Sequence, residues 1–163
     1  MVFELVELKD ISGPKATIYS LYLEDEKQTL FDKFLSEYEV DYQSEVLSIL
    51  DKIGKMSFKY GAERMFFKEN EGKLGDLVCA LYDSPDSHLR LYCMRLGKTV
   101  LILGSGGFKS KAIRALQEDT ILSHENAIIR QFSAIFAKRI REREIGWKDE
   151  MTLSGNFIFD TDE

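Results

Sequence analysis

Apolar and polar positions change their period several times along this chain, and each change predicts an element. FELVEL (3–8) reads as a short strand that the DISGPK stretch breaks. In TIYSLYL (17–23), Ile18, Ser20 and Tyr22 alternate with Tyr19, Leu21 and Leu23, the period of a half-buried strand. From residue 30 the period lengthens. Leu30, Phe31, Phe34, Leu35 and Tyr38 share one helical stripe, and Val46, Leu47, Ile49, Leu50, Ile53 and Met56 share a second. Together they predict an antiparallel helical hairpin joined around Glu39–Gln43, with Gly61 as its stop.

After Met65 the text turns to strands. LVCALY (77–82), HLRLYCMR (88–95) and TVLILG (99–104) are rich in aromatic and β-branched residues, and DSPDS and LGK separate them at hairpin length. A three-stranded antiparallel meander is expected there. GSGGFKSK then reads as a loop and Ala112–Leu116 as one helical turn. A longer helix is predicted from Ser123, its N-cap, with Glu125 in the first turn and Ile128, Ile129, Phe132, Ile135, Phe136 and Ile140 along its stripe. The cations at its end, Lys138, Arg139, Arg141 and Arg143, read as dipole complements on a solvated face. TLSGNFIFD (152–160) predicts a hairpin or an edge strand. Helices segregated from an antiparallel sheet make the class α+β, and 163 residues predict one domain over 1–163.

Composition narrows the class. With 44% hydrophobic and 31% charged residues, the chain reads as a soluble globular protein. It has no apolar run of membrane-spanning length, and MVFELVELKD carries acids where a secretory signal would be basic, so the cytoplasm is expected and no membrane partner. Cys79 and Cys93 lie in apolar text and read as inert core thiols. Without CxxC or HxxxH spacing, neither a metal nor another cofactor is predicted.

Charge changes the picture more. The chain carries 28 Asp and Glu against 22 Lys and Arg, a net −6. Yet Ser87–Gln117 contains no acid and six cations (Arg90, Arg95, Lys98, Lys109, Lys111 and Arg114) besides His88, so the window is +6 and the remainder −12. Such segregation predicts a local anion site. On the strand 88–95, Leu89, Leu91 and Cys93 share an apolar face, while His88, Arg90, Tyr92 and Met94 share the other. An Arg beside an aromatic suits a phosphate and a stacked base, although Arg90 could equally snorkel from an exposed sheet. The glycines at 104–107 form neither a Walker A loop nor GxGxxG. With Lys109 and Lys111 they read either as an anion-holding turn or as a strand end with solvated lysines.

LGD (74–76), LRLYCMR (89–95) and VLILGSGGFKSK (100–111), in that order after a helical hairpin, resemble the RelE/ParE superfamily of bacterial toxins, most closely its HigB-type branch. The likeness covers residues 17–136. It implies a RelE-like antiparallel sheet packed on a helical hairpin, here with an extra N-terminal strand, a C-terminal helix and a terminal hairpin or strand. It also implies a ribosome-dependent mRNA endoribonuclease that needs no metal and is restrained by an antitoxin protein. Arg90 matches the strand Arg of the family pattern, and Phe108, Lys109 and Lys111 its loop. Arg90 would be the leading phosphate contact with Arg95, Lys109 and Lys111 in support; Lys98, Arg114 and Tyr92 are further candidate RNA contacts. His88 is a candidate acid or base from its position on the strand. The alternative from another class is a catalytically silent RelE-fold binding or regulatory module, which the acidic balance favours. The additions at 1–10 and 147–163 are expected to lengthen the sheet or cover part of its face.

Overall fold

The computed structural model describes residues 1–68, 77–109 and 115–162. It is a mixed α+β structure with a multi-stranded sheet and three helices. The elements in chain order are β1 (Val2–Glu7), β2 (Thr17–Leu23), β3 (Gln28–Thr29), α1 (Leu30–Tyr38), α2 (Gln43–Lys55), β4 (Phe67–Lys68) and β5 (Val78–Leu81). There follow β6 (Leu89–Leu96), β7 (Val100–Phe108), α3 (Ala115–Arg141), β8 (Ile145–Trp147), β9 (Leu153–Gly155) and β10 (Ile158–Asp160).

The helical hairpin forms where its stripes predict. Thr29 caps α1 by accepting the Asp32 N–H at 3.0 Å. A π turn over Met56–Tyr60 extends α2 and ends at Gly61, whose φ of +80° spares it a Cβ penalty. The meander β5–β6–β7 also forms, with antiparallel pairing throughout. Its outer neighbours were less legible. The sheet runs β10-β1-β2-β7-β6-β5-β4, with β3 paired to β2, and β2 lies parallel to β7 rather than antiparallel. β1 and β10 lengthen the sheet at one edge, while β8 and β9 pair separately.

Both faces of this sheet are covered. Ile18, Leu89, Leu91, Cys93, Leu101 and Leu103 pack under α1 and α2 with Phe34, Val46 and Ile53. Tyr19, Leu21, Tyr92, Met94 and Ile102 pack on the other face under α3, against Ile129, Phe132 and Phe136. Two-sided cover explains why β2, expected to be half-buried, is buried at every position except Tyr22. Its central Ser20 is satisfied inside, donating to the Leu103 carbonyl at 2.7 Å and accepting the Phe31 N–H at 3.3 Å.

Two expectations are overturned around α3. Ser123 lies within the helix, not at its start, because the preceding Ala, Leu, Gln and Glu are strong helix formers that carry the helix back to Ala115. Glu125 is therefore no dipole residue. It is buried against α1, 3.5 Å from Lys33, and burial pushes its carboxyl up against the opposing pull of Lys33 and His124. Arg139 is not solvated either: it is buried, donates to the carbonyls of Asn156 and Ile158, and stacks 4.2 Å from the Phe159 ring. It fastens β10 to the helix.

The glycine text is the third correction. β7 continues through Phe108, so Gly104, Gly106 and Gly107 are strand residues and not an anion-holding turn. Opposite them β6 carries a bulge between Leu91 and Cys93. A Cβ on Gly106 would stand 1.7 Å from the Arg90 carbonyl oxygen, and one on Gly107 would stand 3.1 Å from Ile121. Small residues here let β6 and α3 approach β7. Gly106→Ala is expected to destabilise the fold by about 1–3 kcal/mol or more, the usual penalty of forced overpacking. Urea unfolding midpoints measure this, and an unchanged midpoint would contradict the bulge geometry.

Candidate anion site

The seven residues Tyr82–His88 connect β5 to β6 across the ends of β6 and β7. Ser84 organises the loop, its carbonyl accepting the Ser87 N–H at 3.1 Å and the Ser87 hydroxyl at 2.9 Å. This turn directs Asp83 inward, where it is 7% exposed. Cations from three strands or their ends meet its carboxylate: the Lys68 ammonium from β4, Lys109 Nζ just past β7 at 3.1 Å, and Arg90 Nε from β6 at 3.4 Å. Lys109 Nζ also donates to the Ser84 carbonyl at 2.6 Å. From α2, Lys52 Nζ donates to the Tyr82 carbonyl at 2.8 Å. The Lys52 and Lys68 ammonium groups lie 5.9 and 5.7 Å from the Tyr82 ring centre.

Three cations thus touch the Asp83 carboxylate, and Lys52 holds the adjoining Tyr82 carbonyl. Burial alone would raise the Asp83 carboxyl, but hydrogen bonds from Lys68 and Lys109 and the charge of Arg90 outweigh it and leave it below the ordinary carboxylate range. Desolvation lowers Lys52 despite the pull of Asp83, with Lys109 and Lys55 adding to the lowering. At an effective dielectric near 20, unit charges about 4 Å apart interact by about 4 kcal/mol. Each of the three contacts favours the ionised Asp83 carboxylate.

His88 stands at the far end of the same loop. The Glu45 carboxylate in the first turn of α2 accepts the His88 N–H at 2.6 Å and the Leu89 N–H at 3.2 Å through one oxygen, and meets His88 Nδ1 at 2.8 Å through the other. With Nδ1 donating, the neutral ring carries its lone pair on Nε2. The rings of Tyr42, His88 and Phe108 form a triangle with centres 5.4, 5.5 and 5.7 Å apart. His88 is more than half exposed, so an orientable base sits beside an aromatic surface. Between α2 and the loop runs a cleft of about 370 Å³ whose walls include Ser44, Ser48, Lys52, Asp83 and Ser84.

The structure therefore brings Arg90 and Lys109 together on Asp83, while His88 joins Lys109 through the backbone, its carbonyl accepting the Lys109 N–H at 2.7 Å. It separates the others. Arg95 Nε donates to the Ala62 carbonyl at 2.6 Å and Lys98 pairs with Glu63 at 3.3 Å, both near the opposite end of β6. Five residues of strand put Arg95 about 16 Å from Arg90 along the chain. Tyr92 shares Arg90's face as expected, but α3 covers it, so it offers no surface to a base. Lys111, Arg114 and the LGD motif lie outside the described residues. Among the described residues no trio of His, Cys, Asp and Glu gathers as metal ligands, and no helix is long and apolar enough to cross a membrane.

Sequence reasoning missed Asp83, Glu45, Lys52, Lys68 and Tyr42. DSPDS signalled only a turn, and Glu45 and Lys52 lie on a helix face whose polarity is what any solvated helix shows. No protein-family model matches the chain, nor does any curated protein or solved structure.

The lowered Asp83 carboxyl has a consequence for stability. The unfolded chain, with the ordinary value of 3.8, takes up this proton before the folded protein does. The stabilisation from Asp83 is thus complete above that value and is lost as pH falls through the lower folded one. Unfolding midpoints measured from pH 6 down to 3 should fall more steeply for the wild-type chain than for Asp83→Asn; parallel slopes would contradict the ion cluster.

Proposed function

We propose that the chain is a toxin-like endoribonuclease of the RelE/HigB kind, cutting mRNA at the cationic end of the sheet. The observation that carries this reading is the meeting of Arg90 and Lys109, two of the phosphate contacts implied by the resemblance, on Asp83, with Lys68 beside them, Lys52 on the same loop and a Glu45-held His88 at its other end. A helical hairpin followed by the β5–β6–β7 meander further supports a RelE-like core with terminal additions.

In the step proposed, the ribose 2′-oxygen attacks the adjacent phosphorus, the bond to the 5′-oxygen breaks, and a 2′,3′-cyclic phosphate and a 5′-hydroxyl form. His88 Nε2 takes the 2′-hydroxyl proton, and the imidazolium returns a proton to the leaving oxygen. Arg90 and Lys109 stabilise the extra negative charge that the crowded phosphorus gathers. The Tyr42–Phe108 surface beside His88 offers stacking to a neighbouring base. The ribosome would supply the mRNA, and a small antitoxin would cover the loop end.

A specific observation favours a second reading. Asp83 already occupies the cationic cluster, and the chain as a whole is acidic, which opposes binding to bulk RNA phosphates. A catalytically silent RelE-fold module would carry the same fold with its charges met internally.

Induction in a bacterium separates the two. The ribonuclease reading expects growth arrest with mRNA cleavage, relieved by Arg90→Ala combined with Lys109→Ala, and a cleavage rate about 10²-fold lower in His88→Ala. Intact growth and mRNA at good soluble expression of the wild-type chain would overturn it and leave the silent module.

A further inference from the structure

We propose that Cys79 and Cys93 are a redox-operated staple, which a peroxide closes into a disulfide that locks β5 onto β6 beside the anion site. This goes beyond the proposed function, because neither its chemistry nor its readouts involve RNA. The sequence sets both thiols in apolar text, but the register makes them direct partners, Cys79 opposite Cys93. Their sulfurs lie 3.6 Å apart, and each Sγ is within 3.8 Å of the other residue's carbonyl oxygen. Both side chains therefore lean across the gap between the strands. The Arg95 N–H donates to the Leu77 carbonyl at 3.2 Å. By the two-residue repeat of an antiparallel ladder, Cys79 and Cys93 are then a hydrogen-bonded pair, with Cα atoms about 5.5 Å apart. That separation lies inside the usual disulfide range of about 4.4–6.8 Å, so side-chain rotation closes the bond.

The fold also gives a small oxidant an approach. Cys79 and Cys93 belong to the apolar layer under the helical hairpin, as do Leu81 and Leu91, each two residues away on the same face. Leu81 and Leu91 line the cleft of about 370 Å³ beside the Asp83 loop. The cleft thus ends one layer of side chains, about 7 Å of strand, from the two cysteines. β5 has only four residues, and a brief opening of so short a strand completes the path.

Cys79 is 5% exposed against 0% for Cys93, so it meets the oxidant first. Its sulfur attacks one peroxide oxygen and the O–O bond breaks; the departing oxygen takes the thiol proton and leaves as water. Cys79 is then a sulfenic acid. The Cys93 sulfur attacks the sulfenic sulfur, the S–S bond forms, and the S–O bond breaks. Burial holds the Cys93 thiol protonated, and that proton converts the departing hydroxide into a second water. Two thiols lose two electrons and one peroxide gains them. β5 leads into the Tyr82–His88 loop that carries Asp83, and β6 carries Arg90, so the closed bond fixes two strands that support the ion cluster.

Treated with hydrogen peroxide under native conditions, the wild-type chain should lose the mass of two hydrogens without joining to a second chain. Dithiothreitol should restore them. Cys93→Ser should stop at a sulfenic acid on Cys79, captured by dimedone, and Cys79→Ser should leave Cys93 unoxidised over the same period. Amide exchange at Val78–Leu81 should slow by at least about tenfold in the oxidised wild-type chain. Thiols that stay free, gain oxygen atoms or crosslink between molecules overturn the proposal, and so does unchanged exchange along β5. The wild-type mass and exchange readouts decide the matter even if a variant does not fold.

Discussion

β7 pairs in parallel with β2 on one side and antiparallel with β6 on the other, while α1 and α3 press on its two faces. Every residue from Val100 to Gly107 is buried. A strand so enclosed must be apolar on both faces and, where neighbours come closest, must lack side chains. Val100–Leu103 meet the first condition and Gly104, Gly106 and Gly107 the second. The bulge in β6, the seat of α3 and the course of the chain into Lys109 all follow from it. Because both faces are closed, the fold leaves strand ends and connecting loops as the places where polar chemistry can collect.

That constraint explains the electrostatics. A window free of acids in sequence is not free of them in space. Asp83 enters from the loop just before it, and Glu45 arrives from α2 to hold His88. Glu63 likewise answers Lys98 at the other end of β6. Burying cations near a sheet without partners would incur a large desolvation penalty, so acids are drawn from elsewhere in the chain. Around Asp83 the same rule holds: cations from β4, β6 and the end of β7 converge on its carboxylate, and Lys52 of α2 holds the loop beside it.

Legibility in the sequence followed the range of the interactions involved. The helical hairpin and the meander were readable because stripes such as Leu30–Phe34 and hairpin-length turns such as DSPDS are local signals. The parallel β2–β7 pairing was not, since no local pattern marks which strands meet across eighty residues. Strand alternation puts Tyr92 on the same face as Arg90, but its burial depends on where α3 lies, which no local pattern shows. Arg90 and Lys109 were found through a run of charge, a local feature. Asp83 and Glu45 acquire meaning only by contact with distant residues, and their own surroundings in sequence are ordinary turn and helix text.

The thiols of Cys79 and Cys93 face each other across β5 and β6, 3.6 Å apart and buried, with burial pushing the Cys93 thiol well above its ordinary range. β5 has only four residues, and one strand beyond it the described sheet ends. A reagent in water meets neither sulfur until that margin of the sheet peels away, so the rate of thiol labelling under native conditions is a clock for its opening. The strand being timed runs directly into the Asp83 loop. The molecule thus carries its own dynamic reporter, one strand from the charges whose order it would reveal.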